Sequence, residues 1–206
     1  MDWTSIYLKT STLNVFILGT GEVATRRANK FLGHGANVKL AGNDLSDDLL
    51  DKGAELCSTD DVDELVKWAD LVVVASGDEE MSDYVSKISG DKLINRADYP
   101  LEGNVIVPTS FNIADIEISI FTNGKSPLMA RQLRKRIQSI ITEEDILEIE
   151  LQDYARSKLK GIIENQKERR KCLYEIFEDD KINGFIKNRQ IDDAKIYIDN
   201  LIRGLN

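Results

Sequence analysis

The apolar positions of this chain follow two different rhythms. In the first half they come as short unbroken runs, Val15-Phe16-Ile17-Leu18 and Leu71-Val72-Val73-Val74-Ala75, each bounded by polar or glycine residues. Runs that are apolar throughout fit strands buried on both faces, as in a parallel sheet covered by helices. The pattern predicts strands at Asn14 to Leu18, Asn37 to Ala41, Leu71 to Ala75, Lys92 to Asn95 and Asn104 to Pro108. A helix opening at Glu22 and running to Leu32 separates the first two, and Gly33-His34-Gly35 ends it. Ile116 to Phe121 instead alternates apolar and polar, as a half-exposed antiparallel strand does. In the last third the spacing turns helical, with Ile146, Ile149, Leu159, Ile162 and Ile163 recurring near one turn. Helices are expected over Thr142 to Gly161, Gln166 to Phe177, Lys181 to Lys187 and Asp192 to Arg203, the last stopped by Gly204. So small a helical unit buries little surface alone, so it is expected to pack on the first domain or on a second subunit.

The turn after the first strand is the most informative stretch. Val15 to Thr25 reads as a buried strand, a glycine turn and the opening of a helix, which is how a protein grips a dinucleotide. Gly19 can take backbone angles closed to other residues, Gly21 has no side chain to block a pyrophosphate, and Ala24 lets the helix lie close to the strand. Thr20 lies between the two glycines. The unpaired N–H groups and dipole of the helix start then favour phosphate without any basic side chain. The fold class expected is therefore α/β: a Rossmann-type parallel-sheet domain over 1–112, a small mixed dimerisation segment over 113–141, and an all-helical C-terminal domain over 142–206.

Later segments reach the same sheet edge. Asn43 and Asp44 follow the second strand, where a ribose-binding residue belongs; the competing reading is an Asx turn or a cap for a helix starting near Ser46. No arginine or lysine follows to accept a 2′-phosphate, which favours NAD over NADP. Ser76, after the apolar strand, is a candidate contact for the nicotinamide half. Asp98 follows the next strand, placed to act as a general base or to orient a substrate; the bland alternative is an aspartate turn before Pro100.

Charge narrows the picture. The 206 residues carry 27 basic and 36 acidic side chains, a formal −9, with −10 over 1–149 and +1 over 150–206. An acidic total argues against nonspecific nucleic-acid binding. No apolar run approaches the ~20 residues of a membrane span, and the N-terminus lacks the basic segment and apolar core of a secretory signal, so a soluble cytoplasmic protein is expected. Cys57 and Cys172 sit in no Cys-x-x-Cys or Cys/His cluster and read as reduced structural thiols. His34, the one histidine, reads as a turn residue, so no metal site is expected. Within the acidic half, Lys125, Arg131, Arg134, Lys135 and Arg136 form a basic stretch on a helix capped by Ser126, with Pro127 in its first position. Such a stretch draws a polyanion or simply balances nearby acids as a solvated face.

Together, Gly19-Thr20-Gly21-Glu22-Val23-Ala24 with Arg26 and Ala28, then Asn95 and Asp98, Pro108, and Gly124-Lys125-Ser126-Pro127 through Arg134 resemble one family nearly end to end. It is the precorrin-2 dehydrogenase/sirohydrochlorin ferrochelatase family, the N-terminal module of siroheme synthases. Many Rossmann proteins share the first motif, whereas few add a serine–proline-capped basic helix and a purely helical tail.

The resemblance implies NAD-dependent oxidation of precorrin-2 to sirohydrochlorin, with Fe²⁺ insertion to siroheme in some members, and a homodimer formed through the later segments. Precorrin-2 is a polycarboxylate, which gives the basic stretch a purpose. By resemblance Asp98 is the catalytic carboxylate, Glu22, Val23, Asn43 and Asp44 contact NAD, and Ser126 lines the substrate cleft with Asn95, Gly124 and Arg131. Two departures stand out: Asn123 occupies a place where glycine is common, and Arg96-Ala97 replaces a small apolar pair before the aspartate. At this length no methyltransferase domain is expected, so methylation would belong to another protein. A rival reading is a non-catalytic NAD-sensing Rossmann module, which would need neither Asp98 nor the Ser126-Pro127 helix.

Overall fold

The computed structural model describes residues 3–204, divided into two compact units, the first ending at Val107 and the second beginning at Pro108.

The first unit winds strands and helices alternately: β1 (Asn14–Leu18), α1 (Glu22–Leu32), β2 (Asn37–Ala41), α2 (Asp47–Asp51), β3 (Glu55–Cys57), α3 (Val62–Trp68), β4 (Leu71–Val74), α4 (Glu79–Ile88) and β5 (Leu93–Arg96). Every pairing is parallel, in the order β3-β2-β1-β4-β5. This is a Rossmann-type sheet, and its apolar strands are buried because both faces are covered. Val15, Ile17, Val38, Leu40, Leu71 and Val73 meet Ala24, Ala28 and Phe31 of α1 on one face. Phe16, Leu18, Val72 and Val74 meet Val62, Leu65, Val66 and Val85 of α3 and α4 on the other. His34 is an exposed turn residue whose Nδ1 lies 2.7 Å from the Lys30 carbonyl, and Gly35, at φ +79, turns the chain into β2.

Asn104 to Pro108 is not a strand. It is an irregular segment that fastens to β5: the amides of Asn104 and Val105 both donate to the Ile94 carbonyl, at 3.0 and 2.9 Å, and Asn104 Oδ1 accepts the Ile94 amide at 2.7 Å. A Cβ on Gly103 would lie 2.6 Å from that same carbonyl, so the approach requires glycine. Val105 and Val107 still pack on the α1-side core, which is why the run looked like a strand.

In the second unit, β6 (Thr109–Ile113) and β7 (Ile116–Ile120) form an antiparallel hairpin, so residues 109–112 pair beyond the boundary read from sequence. Helices α5 (Pro127–Ile140), α6 (Glu143–Lys160), α7 (Gln166–Phe177), α8 (Asp180–Lys187) and α9 (Ile191–Arg203) follow, with bounds close to those expected for the tail. The tail encloses its own core of Leu151, Ala155, Leu159, Ile176, Ile182, Ile186, Ala194, Ile198 and Ile202. The inward row of α6 is Leu147, Leu151, Ala155 and Leu159, spaced by four, while Ile149 and Ile162 are exposed. Ile149 and Ile162 share the near-one-turn recurrence that marks the helix but lie off its inward row.

Candidate functional site

Strand order reverses between β1 and β4, and the loops leaving their carboxyl ends form the crevice where open α/β sheets bind ligands. Gly19 leaves β1 at φ +105, its amide donates to the Ala41 carbonyl at 2.8 Å, and a Cβ there would lie 2.5 Å from the Ala75 oxygen. Gly21 differs: a Cβ on it would meet nothing within 4 Å, and no side chain caps α1 behind it. The first N–H groups of α1 therefore open onto free space, which fits a pyrophosphate held by backbone at a helix start. Glu22 and Val23 lie exposed on that first turn, while Ala24 is fully buried beneath it.

Thr20 packs against the backbone just after β2. A Cβ on Gly42 would lie 2.6 Å from Thr20 Cγ2, so glycine just after β2 makes room for the threonine. Beyond it, Asn43 and Asp44 are exposed and, among the described residues, make no side-chain hydrogen bond. The capping alternative is not realised: α2 has Ser46 as its N-cap residue, without a side-chain bond. Both side chains are free to meet a ribose. Ser76 Oγ accepts the Asp78 amide at 3.1 Å, leaving its own proton to donate, while Asp78 caps α4 through the Met81 amide.

At the end of β5 alternate residues face opposite sides. Asn95, in register with Val73, faces the α1 side, donates Nδ2 to the Val105 carbonyl at 2.8 Å and leaves its buried Oδ1 without a partner. Arg96, in register with Val74, faces α4 and is only 2% exposed. The Ala97 amide continues the ladder to the Val74 carbonyl at 2.8 Å, so Asp98 emerges beside the loop that carries Ser76.

Asp98 does not stand alone. Arg96 Nε donates to its Oδ1 at 2.8 Å and Nη2 to its Oδ2 at 2.6 Å, a two-pronged clamp. Nη1 turns away to Asp83 Oδ1 and Ser86 Oγ, each at 3.0 Å, on α4, and reaches Glu102 at 3.4 Å. The Tyr99 ring lies 5.5 Å from the guanidinium carbon. Burial alone would push the Asp98 carboxyl upward, but hydrogen bonds from Arg96 and from the Tyr99 and Asp98 amides outweigh it and hold the group below its ordinary value. The Arg96 guanidinium is correspondingly held charged, chiefly by Asp98. The sequence showed Arg96 only as a departure from a family pattern. An arginine two residues ahead of Asp98, at the end of a strand, was the available signal.

The second unit carries the other candidates. Thr122 and Lys125 close a turn through a 3.0 Å backbone bond, with Asn123 at φ +53 and Gly124 at φ +72. Asparagine tolerates the left-handed region, so Asn123 fits where glycine is common. Ser126 Oγ accepts the Met129 amide at 3.1 Å and caps α5 ahead of Pro127. Lys125, Arg131, Arg134, Lys135 and Arg136 form no ion pair among the described residues, which leaves their charges open to solvent or to an anion. Arg134 instead stacks 5.3 Å from the Phe111 ring.

Residues 6–109 match a family model described as NAD(P)-binding. Over 198 residues the chain is 30% identical to a precorrin-2 dehydrogenase of Methanosarcina barkeri, covering 89% of this chain and 87% of the relative. It is 24% identical to a siroheme synthase of Mannheimia succiniciproducens, where 95% of this chain spans 42% of the relative. Among solved structures, SirC, a precorrin-2 dehydrogenase, superposes with a TM-score of 0.75 at 22% identity, over 95% of this chain and 100% of that one.

Proposed function

This chain belongs to the precorrin-2 dehydrogenase family, with an NAD(P)-binding first unit, and we propose that it oxidises precorrin-2 to sirohydrochlorin with NAD. Bound NAD supplies the hydride acceptor. The observation that carries the reading is a fixed carboxylate at the same sheet edge as an open dinucleotide turn: Asp98 follows β5, next to β4 and the Ser76 loop, while the uncapped start of α1 follows β1 on the other side of β4.

The chain's own groups divide the work. Gly19 and Gly21 shape the turn so that the N–H groups of α1 hold the pyrophosphate, with Thr20, Glu22 and Val23 around it. Asn43 and Asp44 offer acceptors to the adenosine ribose, and no basic side chain there invites a 2′-phosphate, which favours NAD. Ser76 donates to the nicotinamide half. Oxidation removes a hydride and a proton from the macrocycle, so positive charge builds on its carbon framework as the C–H electron pair departs. An anion at Asp98 stabilises that charge and orients the ring. In the first unit Asn95 offers an unpartnered oxygen to substrate; in the second, taken by itself, Gly124, Ser126 and Arg131 are the residues the family resemblance assigns to substrate. The unpaired cations of α5 suit a polycarboxylate.

The second unit joins two copies into a homodimer on this reading, and the protein is cytoplasmic, in keeping with two free cysteines. Among the described residues no helix is long and apolar enough to cross a membrane.

The test is anaerobic incubation of the purified protein with precorrin-2 and NAD, following NADH formation and the tetrapyrrole spectrum, with Fe²⁺ added afterwards. NADH formation with the sirohydrochlorin spectrum is the expected result. NAD binding without NADH would instead favour the sensing module. Metal insertion faster than a protein-free control would add the second reaction.

A further inference from the structure

Asp98 has little accepting capacity left. A carboxylate offers about four lone-pair directions. Arg96 occupies one on each oxygen, at 2.8 and 2.6 Å, with a third contact from Nε to Oδ2 at 3.2 Å. The Asp98 side chain is 19% exposed, so one edge still faces outward. Arg96 cannot swing aside easily, because its third nitrogen is fixed by Asp83 and Ser86 of α4 and by Glu102 in the loop after β5, with the Tyr99 ring beside the guanidinium. The cluster holds one guanidinium among three carboxylates, of which Asp83 and Glu102 are largely exposed.

We propose that Arg96 is a positioning residue that locks Asp98 as an oriented anion and withholds it from service as a proton acceptor. Oxidising precorrin-2 suits such an anion: the substrate C–H bond breaks with its electron pair leaving as hydride, and the ring proton can pass to water. Inserting a divalent cation into the product does not suit it, because two pyrrole N–H bonds must give up their protons to some base. This chain is therefore a dehydrogenase whose Asp98 contributes nothing to metal insertion. The inference rests on the precorrin-2 reading for its chemistry, but the clamp itself is independent of substrate.

The experiment compares wild type, Arg96→Met and Arg96→Lys, with Asp98→Asn to assign signals. The Asp98 carboxyl is titrated by carbon NMR on protein labelled at aspartate Cγ, without NAD or tetrapyrrole, and NAD titration checks that each variant is folded. In parallel kcat and KM for precorrin-2 are followed from pH 5 to 9, and Fe²⁺ insertion into sirohydrochlorin is compared with a protein-free control.

In wild type Asp98 is expected to titrate below the ordinary aspartate range, with kcat flat on the acid side and no acceleration of insertion. Arg96→Met moves the titration upward and brings an acid limb into the kcat profile. Arg96→Lys, which keeps a charge but loses the two-pronged fork, falls between them and carries the test if Arg96→Met does not fold. A folded variant whose Asp98 titration does not move would overturn the clamp, as would a kcat that falls equally at all pH. Wild-type insertion faster than the control and lost in Asp98→Asn would overturn the withholding. If precorrin-2 is not oxidised at all while the titration still moves, the positioning role stands and the substrate reading is what fails.

Discussion

Gly19 and Ala75 come so close that a single methylene on Gly19 would sit 2.5 Å from the Ala75 carbonyl oxygen, inside any allowed contact. The loops after β1 and β4 are pressed together there, whereas Gly21 faces empty space. These two glycines of one motif thus differ: packing requires the first, while the space beside the second is open.

Gly19→Ala should therefore destabilise the fold, by about 1–3 kcal/mol from the φ of +105 alone and more from the clash. Gly21→Ala, at φ −71, should change stability by less than about 0.5 kcal/mol. It should nonetheless weaken NAD binding about tenfold or more, equivalent to ~1.4 kcal/mol. Chemical denaturation and NAD titration of both variants separate the roles; equal stability losses would refute the division.

Asp98→Asn should lower kcat for precorrin-2 oxidation about 10²-fold or more, the scale of losing one preorganised electrostatic group, while NAD affinity stays near wild type. Stability carries a pH signature as well. The folded carboxyl lies below its ordinary 3.8, so its contribution is fully present above that value and is lost as pH falls through the lower, folded one. Wild type should thus be more stable than Asp98→Asn at pH 7, and the gap should close below about pH 3.8. Melting temperatures at pH 7 and pH 3 check it.

Arg27 on α1 shows the opposite economy. Its Nε is buried with no hydrogen-bond partner, and burial, with Arg26 adding repulsion, lowers the guanidinium to about 10. Arg27→Met keeps the stem and removes the stranded donor, so the melting temperature at pH 7 should rise. A fall would mean that the charge has a use in the folded protein.

Ser126→Ala should cost about 1 kcal/mol, because the Met129 amide loses its acceptor at the start of α5, and Ser126→Thr should restore most of it. If the serine also touches substrate, KM for precorrin-2 should rise in the alanine variant beyond what reduced stability explains, as measured at a temperature where both forms are fully folded.

Arg131→Ala combined with Lys135→Ala should raise KM for the polycarboxylate substrate and flatten its dependence on salt, leaving NAD affinity unchanged. Steady-state kinetics at low and high ionic strength distinguish this from a general loss of fold.

Local chemistry made much of this molecule legible in its sequence. Unbroken apolar runs mark β1 and β4 as strands covered on both faces, a glycine turn before Glu22 marks the start of α1, and Ser126-Pro127 marks a helix beginning. Those features depend on neighbours within a few residues, and tertiary packing reinforces them. What the sequence left undecided depends on distance across the fold. Val105 and Val107 look like strand residues, yet Gly103 and Asn104 draw that segment onto β5 without a regular ladder. The core row of α6 is chosen by which turn meets α8 and α9, so Leu151 is buried and Ile149 is not. Above all, Asp98 reads as a free carboxylate until β5 sets Arg96 on its face and α4 brings Asp83 and Ser86 to hold the far side of the guanidinium. Residue types name the acids and bases, but the charge each one carries is decided by what the folded chain puts beside it.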